Sequence, residues 1–591
     1  MASGNASTAT VPAAFPPPVN SQQEFIKREL DPEDERIEVG VAIVGGGTAG
    51  LACATRLLQL LADESVGGPE VMERLGEVPV AVIEKAKTCG GHNLSGAVMR
   101  PDSLVELYPE LSREDWRKEG FAFGEVEKEG VYMLPNGKTS IRIPTPPPFK
   151  NHGAEVISVA ALCRFMAAKA EEAGAYILTE TAASELLVTE GRVQGVRSGD
   201  KGRGKDGKEQ GNFEPGADIT AQATVLAEGC WGHLTGGAIK EFGLAEGREP
   251  QNWELGVKEV WKVAKPLDRV IHTIGPWPLK LNTKYHHTGG SWIYPMKNEK
   301  TGEDMVSIGF VVDLDYADAT TSCHDLLQEF KLHPLVKKIL EGGERVGWGA
   351  KALPGGGYWS MPKLSMPGAV LVGDAGGMVN TTALKGLHYA IKAGIIAAEN
   401  IFEALKRGES SFAKYEDAIE NSSVGKELWE VRNTRQPLAQ KGLIKGGPKT
   451  NILIATKGKF PPGRISMKAS DETPMFIGKS KDSYPKPDGK YTFDKLSSVF
   501  ITGNATRDDA PNHIRVQKNV PRVIAESWQW MCPAGVYEIS DEQLEATEGK
   551  PEEHVDVIVN YTNCVQCGAI TAKGGRLTTP EGGDGPLYQL T

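Results

Sequence analysis

Three spaced glycines near the start of the chain constrain its fold more than any other feature. A short apolar segment, residues 39–44, ends at Gly45-x-Gly47-x-x-Gly50, and a helical pattern of apolar residues follows. A glycine-rich turn between a strand and a helix is typical of the β-α-β unit that binds dinucleotides. Gly45 permits the tight turn, Gly47 lets the backbone approach a pyrophosphate, and Gly50 lets the helix pack closely on the sheet. The sequence therefore predicts a Rossmann-like domain here.

A carboxylate follows the next apolar strand, residues 79–84, which ends at Glu84. At this position an acidic side chain accepts a hydrogen bond from a ribose hydroxyl and repels the 2′-phosphate of NADP. The separation between Gly50 and Glu84 exceeds the usual interval of about 20 residues, and we attribute the excess to a surface insertion at residues 63–77. The alternative is a glycine turn that binds no ligand.

Two later segments favour FAD over NAD as the dinucleotide. The turn at 227–234 follows a strand and contains Glu228 and Gly229, and Gly373-Asp374 lies between a strand and a long helical pattern. An acidic side chain after a strand suits a ribityl hydroxyl, and a helix N-terminus beside the isoalloxazine stabilises reduced, anionic flavin. Asp374 has an alternative role as a plain helix N-cap. The predicted FAD-binding residues are Gly45, Gly47, Gly50, Glu84, Glu228, Gly229, Gly373 and Asp374.

Composition and charge argue against several classes of function. The chain has 591 residues and a formal net charge of −11, which argues against nucleic acid as its main partner. The sequence contains no apolar run of the roughly 18 residues that a bilayer-spanning helix needs. Five of the eight cysteines are scattered through apolar or glycine-rich segments. That pattern is typical of buried free thiols in a reducing compartment rather than of a disulfide framework.

The other three cysteines indicate a metal or iron–sulfur site near the C-terminus. Cys564-x-x-Cys567 can close on one iron or zinc ion, and Cys532 lies upstream of this pair. A ferredoxin-like site would place a further cysteine three residues after Cys567, where this chain has Ile570. Three thiolates are therefore visible where a 4Fe-4S cluster usually has four. A zinc site is less favoured, because no nearby histidine completes it; His554 is the only close one in the sequence.

Short motifs are distributed along the chain at Glu84-Lys85, 92–97, Asn151-His152-Gly153, 228–234, Gly289-Gly290-Ser291, 309–312, 341–343, 484–489, 532–538 and 580–583. In this order they resemble the motifs of the electron transfer flavoprotein–ubiquinone oxidoreductase family, and the resemblance runs from about residue 39 to residue 588.

The resemblance implies a mixed α/β fold in three parts: a Rossmann-like FAD domain, an interleaved quinone-binding β-sheet domain and a C-terminal ferredoxin-like domain. We expect a disordered leader at 1–36, the FAD domain with interleaved quinone-binding and membrane-contact segments at 37–480, and the iron–sulfur domain at 481–591. The leader rests on composition, because residues 1–24 are rich in Ala, Ser, Thr and Pro and contain one charged side chain.

The resemblance also implies an activity and its partners. Members of the family pass electrons from reduced electron transfer flavoprotein through FAD and an iron–sulfur cluster to ubiquinone, or menaquinone, in the membrane. Gly289 and Gly290 would border the quinone headgroup, because a flat ring can lie against a backbone without side chains. An ordinary glycine turn in a sheet is the alternative. Cys532, Cys564 and Cys567 would be the cluster ligands.

Members of the family attach to one leaflet without spanning it, and the matching segments here are residues 98–121 and 442–462. The second segment has Ile452-Leu453-Ile454 among lysines that could meet anionic lipid. Those lysines are Lys445, Lys449, Lys457 and Lys459. A solvated basic loop is the alternative. Because residues 1–24 hold neither a secretory signal nor an Arg-rich presequence, we expect peripheral attachment at the cytoplasmic face of a bacterial inner membrane, or at the mitochondrial inner membrane in a eukaryote.

Several alternatives remain open from the sequence. The cluster could be a 4Fe-4S cluster with water or Thr571 as its fourth ligand, a three-iron cluster, or absent from a domain that keeps its fold. The protein could instead be an FAD-dependent reductase or hydroxylase similar to prenyl reductases, which would leave the cysteine module unexplained. It could also be a non-catalytic FAD-binding electron-transfer subunit.

Overall fold

The computed structural model describes residues 10–18, 24–96, 98–280 and 284–591. In chain order its strands are β1 (Ile26–Lys27), β2 (Ile37–Val44), β3 (Val80–Ile83), β4 (Val98–Met99), β5 (Ala122–Glu125), β6 (Glu129–Asn136), β7 (Thr139–Ile143), β8 (Glu155–Ile157), β9 (Tyr176–Leu178), β10 (Ala183–Thr189), β11 (Arg192–Ser198), β12 (Lys201–Arg203), β13 (Glu209–Glu214), β14 (Asp218–Leu226), β15 (Trp253–Lys262), β16 (Val270–Ile274), β17 (Gly289–Lys297), β18 (Asp304–Asp313), β19 (Glu344–Pro354), β20 (Ser365–Met366), β21 (Ala369–Leu371), β22 (Ile514–Arg515), β23 (Asn519–Pro521), β24 (Tyr537–Glu538), β25 (His554–Asp556), β26 (Ile558–Val559) and β27 (Arg576–Leu577).

Helices alternate with the strands in the N-terminal part and dominate residues 387–455. In chain order they are α1 (Thr48–Ala62), α2 (Gly68–Arg74), α3 (Asp102–Leu107), α4 (Arg113–Glu119), α5 (Val159–Glu172), α6 (His233–Glu241), α7 (Cys323–Lys331), α8 (Pro334–Leu340), α9 (Leu387–Lys406), α10 (Lys414–Asn421), α11 (Ser423–Val431), α12 (Arg435–Ala455), α13 (Lys495–Phe500), α14 (Arg522–Met531) and α15 (Asp541–Ala546).

The first sheet belongs to the Rossmann-like domain. Its strand order is β1-β10-β11-β14-β2-β3-β9, with β21 also paired to β14 and β20 to β21. Strands β14, β2, β3 and β9 run parallel to one another. Six of the eight residues of β2 and all four of β3 are buried, as expected for central parallel strands covered on both faces. Helices α1 and α9 cross so closely that a Cβ on Gly394 would lie 2.3 Å from the carbonyl oxygen of Ala49.

The second sheet has the order β19-β15-β18-β17-β16-β6-β7. Its neighbouring strands are antiparallel except for the parallel pair β16 and β6. Side chains alternate between its two faces. One face packs apolar side chains of the sheet, among them Leu255, Val257, Ile293 and Phe310, against α7. Leu326 and Phe330 of α7 belong to the same core. The opposite face is turned toward the first domain and forms a wall of the cavity described below.

The C-terminal part contains short two-stranded sheets, β22–β27, β23–β25 and β24–β26, around helix α14. Trp528 of α14 is fully buried, and its Nε1 donates to the carbonyl oxygen of Lys573 at 2.7 Å. The turn Ala569–Lys573, which follows the last cysteine, is thereby held against the helix. This part shares one apolar core with the second sheet.

The predicted disordered leader is wrong for residues 10–18 and 24–36, whereas residues 1–9 and 19–23 lie outside the described residues. Strand β1 pairs in parallel with β10 and so joins the first sheet. Residues 26–27 of the predicted leader therefore belong to the fold.

Hydrogen bonds to backbone carbonyl oxygens hold the proline-rich segment against the rest of the fold. The carbonyl oxygen of Thr10 accepts from the N–H of Met475 at 2.9 Å. The carbonyl oxygen of Pro16 accepts from Nε2 of Gln517 at 2.9 Å. Prolines cannot donate backbone hydrogen bonds, but their carbonyl groups still accept them, so this composition is compatible with an ordered surface segment.

Two segments predicted to lie at the surface contain buried apolar side chains. The insertion at residues 63–77 is mostly exposed and contains helix α2, whose Val71 is buried. Residues 98–121, predicted to contact the membrane, bury Leu104, Leu107 and Trp116 in the core of the first domain, whereas Val105 is exposed. Membrane contact by this segment stays a prediction.

Candidate functional site

A cavity of about 660 Å³ lies between the first domain and the second sheet. Five of the predicted FAD-binding and quinone-binding residues line it: Gly47, Gly229, Gly289, Gly290 and Asp374. The turns after β2, β14 and β21 form one side, strands β15 to β19 form the opposite side, and α12 contributes a third. The tertiary structure thus brings predicted cofactor residues and predicted quinone residues to one space.

The turn after β2 requires its glycines for steric reasons. Gly45 has a φ of 108°, and a Cβ there would lie 2.4 Å from the carbonyl oxygen of Ala227. A Cβ on Gly50 would lie 2.1 Å from the carbonyl oxygen of Gly45, so α1 leaves no room for a side chain. Gly47 lines the cavity, and a Cβ there would approach Nδ2 of Asn93 at 3.2 Å. The N-terminus of α1 is therefore open to an anionic ligand.

Two helices begin at the cavity wall, α1 at Thr48 and α9 at Leu387. Free N–H groups and the helix dipole favour negative charge at such ends. Asp374 lies in the turn between β21 and α9, where burial raises the pKa of its carboxyl group to about 6 and the nearby Lys351 ammonium partly offsets this. Two helix N-termini and a buried carboxyl group suit a ligand that carries both phosphates and hydroxyls.

Gly229 and Gly373 shape turns at this side of the cavity. Gly229 has a φ of 69°, and a Cβ there would meet no atom within 4 Å, so the turn after β14 is open. Gly373 has a φ of 63° and does not line the cavity. A Cβ on Gly373 would lie 3.0 Å from Cβ of Ala49 and 3.4 Å from Cβ of Ala390. Close packing of α1 and α9 on this turn therefore favours glycine.

The two predicted glutamates have partners within the fold. Glu84 accepts from the N–H of Gly46 and from the N–H of Ala86, both at 2.7 Å. Glu228 accepts from the N–H and from Oγ1 of Thr235 in the first turn of α6, both at 2.6 Å. Neither glutamate belongs to the cavity lining, and Glu228 stabilises the N-terminus of α6. Their roles in cofactor binding remain predictions.

Backbone atoms form much of the opposite wall. Gly256 in β15, Gly290 in β17 and Val311 in β18 share the cavity face of the second sheet. A Cβ on Gly289 would lie 2.1 Å from the carbonyl oxygen of Val311, and one on Gly290 would lie 3.1 Å from that of Thr273. The neighbouring strands thus leave little room for a side chain at these two positions. Because both glycines line the cavity, they present backbone to it, and a flat ring can lie against that surface.

A histidine–tyrosine pair on this wall was missed by the sequence analysis. Nε2 of His272 lies 2.8 Å from Oη of Tyr294, and both residues are buried and line the cavity. The ring of Phe149 stacks on His272 with centroids 5.2 Å apart. Burial lowers the pKa of His272 to about 3, so the imidazole is neutral near pH 7. No sequence spacing pointed to the pair, because β16 and β17 become neighbours only in the folded sheet.

Charged side chains on the cavity wall were also missed: Glu254, Asp313, Lys351, Lys385 and Arg435. Burial lowers the pKa of Lys385 to about 8. Alternation of polar and apolar residues along β15 and β18 is the signal that could have identified the strand members. Arg435 follows Asp313 by 122 residues and carries no local signal of its role.

The three predicted cluster cysteines lie together in the C-terminal part. Cys532 and Cys564 are buried, and Cys567 is half-buried. The N–H of Val536 donates to Sγ of Cys532 at 3.5 Å, and the N–H of Gln566 donates to Sγ of Cys564 at 3.4 Å. Burial, with repulsion from Cys532, raises the pKa of the Cys567 thiol to about 12. Hydrogen bonds directed at sulfur are a feature of iron–sulfur ligation.

Ile570 lies in the turn where a fourth cysteine was expected, and its buried side chain offers no ligand. It packs beside Gly575, where a Cβ would lie 2.5 Å from Cγ1 of Ile570. Over the described ranges, no three His, Cys, Asp or Glu side chains are placed to share a metal ion. In an iron–sulfur cluster each cysteine binds a different iron, so the three thiols need not share one ion. As a donor set, three thiols, two of which accept from backbone N–H groups, fit a cluster that has one corner without a cysteine. The glycine turn and helix ends fit FAD.

Family models match three separate parts of the chain. Residues 82–251 match a model described as FAD binding domain. Residues 253–353 match "ETF-QO, ubiquinone-binding". Residues 489–589 match "Electron transfer flavoprotein-ubiquinone oxidoreductase, 4Fe-4S". The second model coincides with the strands that form the sheet wall of the cavity, and the third contains all three cysteines.

Relatives from distant organisms match over nearly the full length. A probable electron transfer flavoprotein-ubiquinone oxidoreductase of Acinetobacter baylyi is 35% identical, with 94% of this chain and 99% of the relative covered. The mitochondrial electron transfer flavoprotein-ubiquinone oxidoreductase of Sus scrofa is 37% identical, with 93% of this chain and 89% of the relative covered. Bacterial and mitochondrial proteins are thus similar to this chain at the same level.

A solved structure supports the fold of the FAD domain. A geranylgeranyl bacteriochlorophyll reductase-like protein from Thermoplasma acidophilum superposes with a TM-score of 0.51 at 19% identity, covering 74% of this chain and 95% of that chain. In the part of the chain that the structure describes, no helix has the length and apolarity needed to cross a bilayer. The full-length relatives and the three matching models establish that this chain belongs to the electron transfer flavoprotein–ubiquinone oxidoreductase family, a family of oxidoreductases, with FAD-binding, ubiquinone-binding and 4Fe-4S domains.

Proposed function

We propose that this protein takes electrons from reduced electron transfer flavoprotein and delivers them to a membrane quinone. One observation carries the proposal: a single cavity contains both the helix N-terminus after Gly47 and the backbone wall at Gly289 and Gly290. A flavin held at the first and a quinone ring held at the second would share one cavity. Family membership supports the same donor and acceptor, since its relatives are named electron transfer flavoprotein-ubiquinone oxidoreductases.

The roles of individual residues follow from their positions. Bound FAD supplies one- and two-electron chemistry, which lets single electrons be paired for a quinone. The N-terminus of α1 would hold the pyrophosphate, and Asp374 would accept from a ribityl hydroxyl. Gly289 and Gly290 would let the quinone ring lie against the β17 backbone.

We further propose that Cys532, Cys564 and Cys567 hold an iron–sulfur cluster that has one iron without a cysteine ligand. Both a 4Fe-4S cluster with a non-cysteine fourth ligand and a three-iron cluster satisfy this donor set. Low-temperature EPR with iron quantification separates them: about four irons per FAD and a signal in the reduced state indicate the first. About three irons and a signal in the oxidised state indicate the second, and iron-free protein would refute the proposal.

Helix α12 supports a proposal for peripheral membrane attachment. Its two halves meet at Gly442, where φ is 66°, and lie side by side, since Oγ1 of Thr450 donates to the carbonyl oxygen of Thr434 at 2.9 Å. Ile454 of the second half lines the cavity, and Ile452 is 47% exposed. An apolar surface that leads into the cavity suits a quinone with a long isoprenoid tail.

Basic residues surround this surface. Lys445, Lys457 and Lys459 are exposed, and so is the apolar ring of Phe460, at 61%. Flanking ammonium groups would meet anionic headgroups while the apolar side chains enter the leaflet. We accordingly place the protein on a quinone-containing membrane, the cytoplasmic face of a bacterial inner membrane or the mitochondrial inner membrane.

The proposed activity is tested with anaerobic protein, electron transfer flavoprotein and a water-soluble ubiquinone analogue. Reduced electron transfer flavoprotein should bleach the bound FAD, and subsequent addition of the quinone should restore the oxidised flavin spectrum. Oxidation of NADPH without added quinone would support the reductase alternative instead. Flavin that is reduced but never reoxidised by a quinone would support the alternative of a non-catalytic electron-transfer subunit.

A further inference from the structure

Three carboxylates converge on one guanidinium at the wall of the cavity. Nη2 of Arg435 lies 2.8 Å from Oδ2 of Asp313 and 3.7 Å from Oδ2 of Asp315, and Nε lies 3.8 Å from Oε1 of Glu254. The side chains of Glu254, Asp313 and Arg435 are at most 10% exposed. Outside this group, Arg435 contacts the side-chain amide of Asn252. When that amide is oriented so that its nitrogen donates to the carbonyl oxygen of Lys468, its oxygen accepts from Nη1 of Arg435 at 2.9 Å.

The sheet register brings two of these carboxylates together. Glu254 in β15 lies directly opposite Asp313 in β18, so their side chains emerge on the same face. That face is the cavity wall, which both residues line. The N–H of Asp313 donates to the carbonyl oxygen of Thr288 at 3.0 Å. Asp313 is therefore next to the start of β17, where a quinone ring is proposed to bind at Gly289, and Glu254 lies one strand further along the same cavity wall.

Charge balance requires a proton in this cluster. Three ionised carboxylates against one guanidinium would leave two uncompensated negative charges in a buried site, which is costly. Burial and the proximity of Asp313 raise the pKa of Glu254 well above its usual range. Burial also raises the pKa of Asp315, which Arg435, Lys573 and His286 oppose. Of the three acids, Glu254 is the one whose surroundings favour the neutral form most strongly.

We propose that the neutral carboxyl group of Glu254, held against Asp313 and Arg435, donates a hydrogen bond and then a proton to the carbonyl oxygen of a quinone bound at Gly289. The inference rests on the proposed function, because it names a proton donor for that reaction. Glu254 would touch the substrate directly, while Asp313 and Arg435 would position it and set its protonation.

The step balances as part of quinone reduction. A quinone takes up two electrons, supplied by reduced electron transfer flavoprotein, and two protons to become a quinol. The O–H bond of Glu254 breaks and an O–H bond forms at the quinone oxygen. Glu254 is left as a carboxylate, and solvent water returns its proton before the next turnover. The second proton is taken from water.

Glu254→Gln tests the donor because glutamine keeps the size of the side chain and cannot transfer a proton. We expect a fall of about 100-fold in the rate at which pre-reduced enzyme reduces a ubiquinone analogue. Reduction of the flavin by electron transfer flavoprotein should keep its wild-type rate. Asp304→Asn, at the opposite end of β18 and outside the cavity lining, is the matched control and should leave both rates unchanged.

Infrared spectroscopy provides a second measurement that does not depend on turnover. Wild-type protein at pH 7 should show the C=O stretch of a protonated carboxyl group that is missing from Glu254→Gln and kept in Asp304→Asn. Asp313→Asn removes a neighbouring negative charge, so Glu254 should ionise at lower pH. The infrared band and the rate of quinone reduction should then both decline at lower pH than in the wild type.

The outcomes separate this inference from the proposed function. Wild-type protein that reduces no quinone would overturn both. Wild-type protein that reduces quinone, together with an equally fast Glu254→Gln variant, would overturn this inference alone. An infrared spectrum that Glu254→Gln leaves unchanged would show that Glu254 is ionised and would also overturn it. If Glu254→Gln fails to fold, the pH shift in Asp313→Asn still decides the matter.

Discussion

The ammonium group of Lys331 lies 2.7 Å from the carboxylate of Glu259, and neither side chain is exposed. Lys331 is on α7 and Glu259 is on β15, on the face of the second sheet that is turned away from the cavity. Trp261 Nε1 donates to the same carboxylate at 2.7 Å, and Arg345 lies 3.6 Å from it. The pair therefore holds a helix against the reverse side of the wall that carries the proposed quinone site.

Lys331→Met should destabilise the protein by about 3–5 kcal/mol, because it leaves the buried carboxylate of Glu259 without its closest cation. The midpoint of urea unfolding, followed by tryptophan fluorescence, measures the change. Lys338→Met removes an exposed lysine of α8 and should shift stability by no more than about 0.5 kcal/mol. Equal midpoints for the two variants would show that Arg345 alone compensates Glu259.

Gly50→Ala should abolish FAD binding, since the new Cβ would lie 2.1 Å from the carbonyl oxygen of Gly45 and force α1 away from the turn. The ratio of flavin absorbance to protein absorbance after purification measures this. Gly211→Ala is the control, because a Cβ there meets no atom within 4 Å. Full flavin content in Gly50→Ala would mean that the turn tolerates a side chain and that the cofactor binds elsewhere.

Ile570→Cys should supply the ligand that the proposed cluster lacks. We expect a 4Fe-4S cluster that loses iron about tenfold more slowly in air than the wild-type cluster, because thiolate ligation protects an otherwise exchangeable iron. Iron per protein, measured over time after exposure to air, gives the rate. Ile570→Val keeps an apolar side chain and should behave as the wild type. Identical iron loss in Ile570→Cys and Ile570→Val would show that position 570 does not face the cluster.

Ile452→Asp combined with Phe460→Asp should prevent attachment to vesicles of phosphatidylcholine and phosphatidylglycerol, since a carboxylate in the leaflet is costly and repels anionic headgroups. Flotation through a density gradient measures the bound fraction. Phe500→Asp is a stringent control, because Phe500 is 85% exposed but lies on α13 in the C-terminal part. Equal loss of flotation in the Phe500 variant would contradict attachment through α12.

Local pattern predicted the elements around the glycine turn well. The expected strand before Gly45 and the helix after it are β2 and α1, and the long helix expected after Gly373-Asp374 is α9. These elements are long and strongly apolar, and their ends are marked by glycine, so short-range rules suffice. The leader failed for the opposite reason, because its order comes from contacts with residues hundreds of positions away.

The two predicted membrane segments also show that distant contacts decide what local pattern cannot. Residues 98–121 and 442–462 were grouped by resemblance, yet the first buries Leu104 and Trp116 whereas the second exposes Ile452. An apolar side chain has the same sequence signature whether it is covered by protein or presented to lipid. Which of the two applies is set by the elements packed around it.

By itself the sequence indicated the kind of chemistry: a glycine turn for a dinucleotide, and three cysteines with Ile570 in place of a fourth. These signals are local, because each depends on the steric or donor properties of a few neighbouring residues. Only the tertiary structure decided which groups meet. Glu254, Asp313 and Arg435 come from two strands and a helix that are distant in sequence, and sheet register and helix packing place them at one cavity. Their combined charge, rather than any one residue type, gives this site its proposed proton.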